Sequence, residues 1–218
     1  MIDVHSHILP GVDDGAPDLA ASLGMLEAAR AAGVSEIVCT PHVRDPWFDH
    51  GRMLAAFGEL SGAAGGFPLH MGFEVNHAKL MELGVEEWGP RLGCADTGQF
   101  LLELDRGFAQ DDLPTCERTV FRLQGMGWRV VIAHPERYRA IQQNTEIARN
   151  LLRMGCKLQA SADFIAGGRM GREKKPAQKM FDQLLYRYIA SDAHKPEHYA
   201  LLAKAVAEYP TRGAHMRV

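Results

Sequence analysis

Repeated βα units around a parallel sheet or barrel are the fold class that this sequence predicts. Short β-branched or apolar runs alternate with longer stretches of helical period, which is how such units read along a chain. The 218 residues are 46% apolar and 23% charged, enough to bury a full core as one domain spanning 1–218. No internal linker or repeat interrupts the alternation.

The elements follow in order. Ile2 to Val4 is the first strand. A helix from Asp18 to Ala32 has Pro17 near its first turn, Leu19, Leu23, Leu26 and Ala29 along one face, and Gly33 as its stop. Ile37 to Thr40 forms the second strand, followed by a weaker helix near Met53 to Leu60 and a GAAGGF turn. Leu69 to Val75 and Phe100 to Leu104 are strands three and four. An amphipathic helix from Pro114 to Met126 leads into strand five, Arg129 to Ala133. Asn144 has the character of an N-cap for a helix that ends at Gly155. Cys156 to Ala160 and Tyr188 to Ala190 are strands six and seven, separated by a helix at Ala177 to Leu185 and followed by one at Glu197 to Glu208. Seven βα units result. The basic stretch GGRMGREKK, 167–175, reads as a solvated, mobile crossover, with a flap gripping an acidic tail as the other reading.

Charge and cysteine usage exclude several functions. Lys plus Arg number 24 against 27 Asp plus Glu, a net charge of -3, so the basic excess that grips nucleic acid is missing. The opening MIDVHSH carries no leader pattern, and no run approaches the roughly 18 apolar residues of a membrane span. Cys39, Cys94, Cys116 and Cys156 are scattered, form no C-x-x-C pair, and as free thiols fit a reducing, cytoplasmic setting. Cys116 and Arg122 make a C-x5-R match, but the intervening ERTVF lacks the glycines that cradle a phosphate, and the match reads as chance.

The functional argument lies just beyond the strands. His5 and His7 end the first, His42 the second, Glu74 the third, Glu103 the fourth, His134 the fifth, and Asp192 and His194 the seventh. In a closed βα barrel the carboxyl ends of the strands meet on one face, so these eight side chains would share one mouth. His5 and His7 fall on one side of an extended strand and can share an ion. His50, His70, His77, His198 and His215 lie outside the pattern and read as structural or surface residues. Mixed imidazole and carboxylate donors suit zinc, iron or manganese, and eight are too many for one tetrahedral ion. Two or three ions are implied, with Glu103 able to bridge a pair, and the chemistry is hydrolysis with phosphate esters favoured.

The start MIDVHSHILPGVDDGA, T-P-H at 40–42, I-A-H-P-E-R-Y and S-D-A-H together resemble the PHP (polymerase and histidinol phosphatase) superfamily. The branch is that of bacterial manganese-dependent protein-tyrosine phosphatases tied to capsular and exopolysaccharide synthesis, and the similarity runs from Met1 to about His194. The resemblance implies a distorted (βα)7 TIM-like barrel, a three-ion centre, Mn2+ as metal with Fe or Zn tolerated, and a tyrosine-rich kinase tail as substrate. It makes ligands of His5, His7, His42, Glu74, Glu103, His134, Asp192 and His194. It groups His5, His7 and Asp192 with a bridging Glu103, gives His134 to a second ion, and His42, Glu74 and His194 to a third. It also implies that Arg137 contacts the substrate phosphate and that Asp14 orients a water or protonates the leaving phenolate, while a metal-bridging hydroxide attacks phosphorus. Two departures stand out: Lys195 where relatives carry an arginine after S-D-x-H, a role that Arg169 or Arg172 could take, and a short tail from Pro210 that leaves oligomeric state open. The rival readings are a small-molecule phosphatase of the same superfamily, acting on histidinol phosphate or a similar ester, and a non-catalytic metal-binding regulatory module.

Overall fold

The computed structural model describes residues 1–209 and 211, so the expectations placed on Pro210, His215 and the terminal tail lie outside the described residues. Strands β1 (Ile2–Ser6), β2 (Glu36–Cys39) and β4 (Leu69–Met71) form one parallel sheet in the order β1-β2-β4. Strands β3 (His42–Val43), β5 (Glu74–Asn76), β6 (Gln99–Glu103), β7 (Arg129–Ala133), β8 (Lys157–Ser161) and β9 (Tyr188–Ala190) form a second parallel sheet in that order. The second strand expected from sequence is β2, with the short β3 following it beyond Pro41, and the expected third strand is broken in two. Pro41, with no N–H to donate, ends the β2 ladder, and the Gly72–Phe73 step ends that of β4.

Hydrogen bonds run across both breaks. Thr40 N donates to Ser6 O at 2.9 Å, Gly72 N to Cys39 O at 2.9 Å and Glu74 N to Pro41 O at 3.1 Å. At the other margin Asp192 N donates to His5 O at 2.9 Å and His7 N to Ala193 O at 2.9 Å, and Asp3 accepts from Ser191 N at 2.9 Å. The two sheets are thereby joined on both sides.

Helices pack outside. Helix α1 (Leu19–Ala31) is capped by Asp18, whose side chain accepts from Ala21 N at 2.8 Å; α2 (His50–Ala63) is capped by Asp49 and is nearly twice the length read from sequence. Helices α3 (His77–Leu83) and α4 (Val85–Leu92) fill a stretch for which the sequence reading had no helix. Helix α5 (Leu113–Gly125) begins with Pro114 in its first turn, as expected. Asn144 is not an N-cap: it ends a short α6 (Arg139–Gln143), and Thr145 precedes α7 (Glu146–Arg153). Its side chain accepts from Glu146 N at 3.1 Å, so the polar residue serves the junction between two helices where one was expected. Helix α8 (Lys174–Asp182) starts three residues earlier than read, and α9 runs Glu197–Glu208.

Strand period two sorts the side chains. Phe100, Leu102, Val130, Ile132, Leu158 and Ala160 face the helices in the main core, whereas Leu101, Val131 and Ala133, with Tyr188, form a small apolar cluster on the other face. The same alternation carries Glu103 and Gln159 onto that second face, at the level above Leu101 and Val131. A register irregularity between Asp3 and Ser6 re-aims β1, so that His5 can reach Gln159 on β8.

Gly15 fixes the loop after β1: a Cβ there would stand 2.0 Å from His7 O and 2.6 Å from its Cβ. Gly15→Ala is therefore expected to lower stability by about 3 kcal/mol, read as a shift in the urea midpoint. Gly24→Ala, inside α1 with nothing within 4 Å, should instead be neutral or gain up to about 1 kcal/mol.

Candidate metal centre

All eight ligand-type residues singled out in the sequence meet in one cup at the carboxyl ends of the strands. Four overlapping sets bring donor atoms within 4.8 Å of one another: His7, Asp14, His42 and His194; His5, His134 and Asp192; His5, His7 and Glu74; His42, Glu74 and Glu103. Glu74 lies at the middle. Its Oε2 is 2.7 Å from His42 Nδ1, 3.3 Å from His7 Nε2 and 3.4 Å from His5 Nε2, and its Oε1 is 2.6 Å from His134 Nε2. Glu74 belongs to two of these sets, and Glu103 to one, its carboxylate accepting from Arg44 at 3.1 Å.

Outer partners fix the imidazole tautomers. His5 Nδ1–H donates to Gln159 Oε1 at 3.0 Å, and His7 Nδ1–H donates to Asp13 Oδ2 at 2.8 Å. His194 Nδ1–H donates to Asp192 O at 2.9 Å. Each bond turns an Nε2 lone pair inward, and the Nε2 atoms of His5 and His7 then face each other across 3.1 Å. Two lone pairs at that distance repel unless a proton or a metal cation lies between them; against the effect of burial, Asp13 raises the pKa of His7, and Glu74 and Asp192 that of His5. His42 Nδ1 and Glu74 Oε2 are buried and close, yet have no hydrogen-bond partner. Imidazoles oriented by carboxylate, amide or carbonyl groups are the ordinary outer support of a metal site, so the donor set fits divalent cations.

The charge balance agrees. Burial opposes ionisation of Asp192 and Glu74, yet Arg137 and His5 hold Asp192, and His5 and His42 hold Glu74, well below the usual carboxylate range. Burial, with Glu74 alongside, pushes Glu103 up to about 7 despite Arg44. Burial and then Arg137 bring His134 down to about 4, which keeps the ring neutral. Burial first, and the Glu74 carboxylate second, make Glu103 the carboxyl of the cup that resists ionising.

Backbone strain appears here as well. His134 and Asp192 adopt left-handed φ values of 33° and 48°, one residue beyond β7 and two beyond β9. Such conformations cost about 1–3 kcal/mol each and persist where the surroundings over-determine them.

Asp14 is half-exposed on the rim. Its Oδ1 lies 3.2 Å from His42 Nε2 and 3.3 Å from His194 Nε2, and its Oδ2 accepts from Arg169 at 2.9 Å. Against the effect of burial, His194 and His42 hold it below the carboxylate range, which suits an acceptor better than a proton donor. Arg137 is part-buried, with Nη2 2.6 Å from Asp192 Oδ2, 3.1 Å from Asp163 Oδ2 and 3.0 Å from Ser161 Oγ, and it lines the cavity over the cup. That cavity is about 640 Å³.

Asp13 and Gln159 were not singled out from sequence. The doubled acid in V-D-D-G and a glutamine inside the apolar KLQAS strand were the signals for them. The basic loop also makes hydrogen bonds within itself. Buried Glu173 accepts from Met170 N at 3.0 Å and Arg172 N at 2.8 Å, which ties it down and turns Arg169 and Arg172 to the cavity. The stretch read as a crossover carries a hydrogen-bonded turn around Glu173. Cys116 lies buried within α5, its thiol pushed up to about 12 by burial and then by Cys156, so the C-x5-R match has neither a thiolate nor a phosphate loop.

Comparison with known proteins shows the family. Tyrosine-protein phosphatase YwqE of Bacillus subtilis is 32% identical over 203 residues, covering 89% of this chain and 77% of its own. Tyrosine-protein phosphatase CpsB of Streptococcus agalactiae is 29% identical over 212 residues, covering 89% and 83%. A solved structure from work on YwqE of Bacillus subtilis and CpsB of Streptococcus pneumoniae, described as unique metal-dependent tyrosine phosphatases, superposes with a TM-score of 0.78. It is 27% identical, covering 95% of this chain and 87% of that one. Residues 1–212 match the family of capsular polysaccharide synthesis, CpsB/CapC, and the chain belongs to that family.

Proposed function

We propose that this protein is a metal-dependent protein-tyrosine phosphatase, with the phosphotyrosyl tail of a bacterial kinase of capsular or exopolysaccharide synthesis as its substrate. The observation that carries the reading is the convergence of His5, His7, His42 and His134 on the buried carboxylate of Glu74, a donor set used by hydrolytic metal sites. The tyrosine phosphatase names of its relatives support it.

His5, His7, His42, Glu74, Glu103, His134, Asp192 and His194 are read as the ligands of two or three ions. Manganese leads because the family resemblance implies it, and the same donors also accept iron or zinc. Bound there, divalent cations supply an acidified water and neutralise phosphoryl charge. Glu74, with its two oxygens facing different imidazoles, would be placed to serve more than one ion. Arg137 donates to a phosphoryl oxygen from the cavity wall, held by Asp163 and Ser161. Asp14 accepts a hydrogen bond from water at the rim.

The frame beneath these residues is read as one domain, a distorted (βα)7 barrel. The hydrogen bonds that join the two sheets on both sides support this reading. Among the described residues no helix is long and apolar enough to cross a membrane, and four buried free thiols fit the cytoplasm.

Turnover of a phosphotyrosyl peptide and of histidinol phosphate, compared on one manganese-loaded preparation, tests the reading. The peptide is expected to be hydrolysed, chelation to abolish this and manganese to restore it. Glu74→Gln should lower kcat/KM a hundredfold or more, on the order of the loss of a principal electrostatic group. Alanine at all four cysteines should leave turnover intact. Hydrolysis confined to histidinol phosphate would transfer the site to the small-molecule reading. Metal uptake without hydrolysis of any aryl phosphate would make it the regulatory module.

The outer partners give a separate measurement. Asp13→Ala and Gln159→Leu are each expected to weaken metal affinity about 10–100-fold with little change in far-UV dichroism. Unchanged metal titration curves for both would remove them from that role.

A further inference from the structure

Six arginines line the cavity over the cup, and they fall into two groups. Arg44, Arg137 and Arg169 are paired with Glu103, Asp192 and Asp14 at 3.1, 2.6 and 2.9 Å. Arg106, Arg139 and Arg172 are exposed, and among the described residues their guanidinium groups have no hydrogen bond, ion pair or ring partner. The other described arginines all have one, such as Arg30 on Ala64 O, Arg91 over Trp88 or Arg122 on Glu86. The unpartnered guanidinium groups are thus gathered at one mouth, on a chain whose net charge is -3. The acids in the lining do not balance them: Glu103 is held by Arg44 and Glu173 by the backbone N–H groups of Met170 and Arg172.

A second cavity of about 460 Å³ adjoins the first and shares Arg106, Arg139 and Gln143 with it, continuing past Phe108 and Asn144 toward α7. Arg106 follows β6 and Arg139 opens α6, so both stand on short segments anchored by ordered elements. A groove therefore leaves the mouth between two forked donors that have nothing to bind within the protein.

We propose that this groove is an anionic subsite, in which Arg106 and Arg139 read carboxylate side chains of an acidic peptide next to its phosphotyrosine. The proposal rests on the phosphatase reading above and adds the substrate class: an acidic segment, chosen by the rim and not by the ion cluster. A guanidinium binds a carboxylate through two parallel N–H donors, and at a half-open rim each such pair contributes modestly while steering the encounter.

The test uses two peptides that differ only in having Glu or Gln around one phosphotyrosine, on wild-type protein and on the double variant Arg106→Gln, Arg139→Gln. Wild type should favour the Glu peptide in kcat/KM on the order of tenfold, most at low salt. The double variant should bring that ratio to about one, its turnover of the Gln peptide serving as the internal control. Charge reversal, Arg106→Glu with Arg139→Glu, should turn the preference toward a Lys-flanked peptide. Equal kcat/KM for both peptides on wild type, or a preference that survives the double variant, overturns the subsite. If neither peptide is hydrolysed the phosphatase reading falls, and anisotropy of the labelled peptides then decides the subsite by the same ratio of affinities.

Discussion

A buried carboxylate surrounded by imidazole nitrogens is the constraint on which the rest of the structure depends. Glu74 is 1% exposed, and an ionised carboxylate taken from water at that depth must find compensating charge and donors or it neutralises. Four rings from three strand ends supply contacts to it, and two of them have an oriented partner behind: Gln159 behind His5, Asp13 behind His7. The irregularities of the fold cluster around this point. The register shift in β1, the Pro41 break, and the left-handed turns at His134 and Asp192 all lie at residues of the cup or next to them. A regular strand would have carried several of these side chains past Glu74.

The parts of this that the sequence reveals are those set by local pattern. Strand ends could be read from apolar runs and turn residues, and a ligand-type residue stood at nearly every one. The H-x-H spacing of His5 and His7 was legible for the same reason. What depends on contacts between distant segments was not. Neither Asp13 nor Gln159 has a local pattern that says which histidine it meets. The central place of Glu74 over Glu103 follows from how β5 and β6 pair, with Glu74 opposite Leu101 and Asn76 opposite Glu103, and no spacing encodes that offset. Helices α3 and α4 escaped notice because Gly84 divides them and Pro90 stands inside the second, so neither offers enough turns for a clear period. The loop at 167–173 reads as mobile from its glycines and charges, and no local pattern announces the hydrogen-bonded turn around buried Glu173.

The same geometry separates two ways of cleaving a phosphate ester. A thiol mechanism needs a low-pKa cysteine facing a ring of backbone N–H groups. Every cysteine here is buried, Cys116 and Cys156 are both pushed up to about 12, and Cys116 and Arg122 share one helix whose N–H groups bond along its own axis. The polar groups that converge in this chain are imidazole and carboxylate acceptors, a set suited to holding cations.

Charge is layered accordingly. The floor of the cup carries Glu74, Glu103 and Asp192, Arg137 stands at the wall between floor and opening, and the rim holds guanidinium groups. An anion approaching such a site meets attraction first at the rim, where solvent keeps each pair weak and exchange fast. Deeper in, where water is excluded, each fixed charge acts more strongly on a phosphoryl group. Arg137 is the hinge of this arrangement, because its Nη2 is bound to Asp192 at 2.6 Å while its Nε is buried without a partner. Its remaining donor capacity is therefore directed by the protein before substrate arrives. That preorganisation makes a half-buried arginine useful there, where a freely rotating lysine would have to be ordered on each encounter.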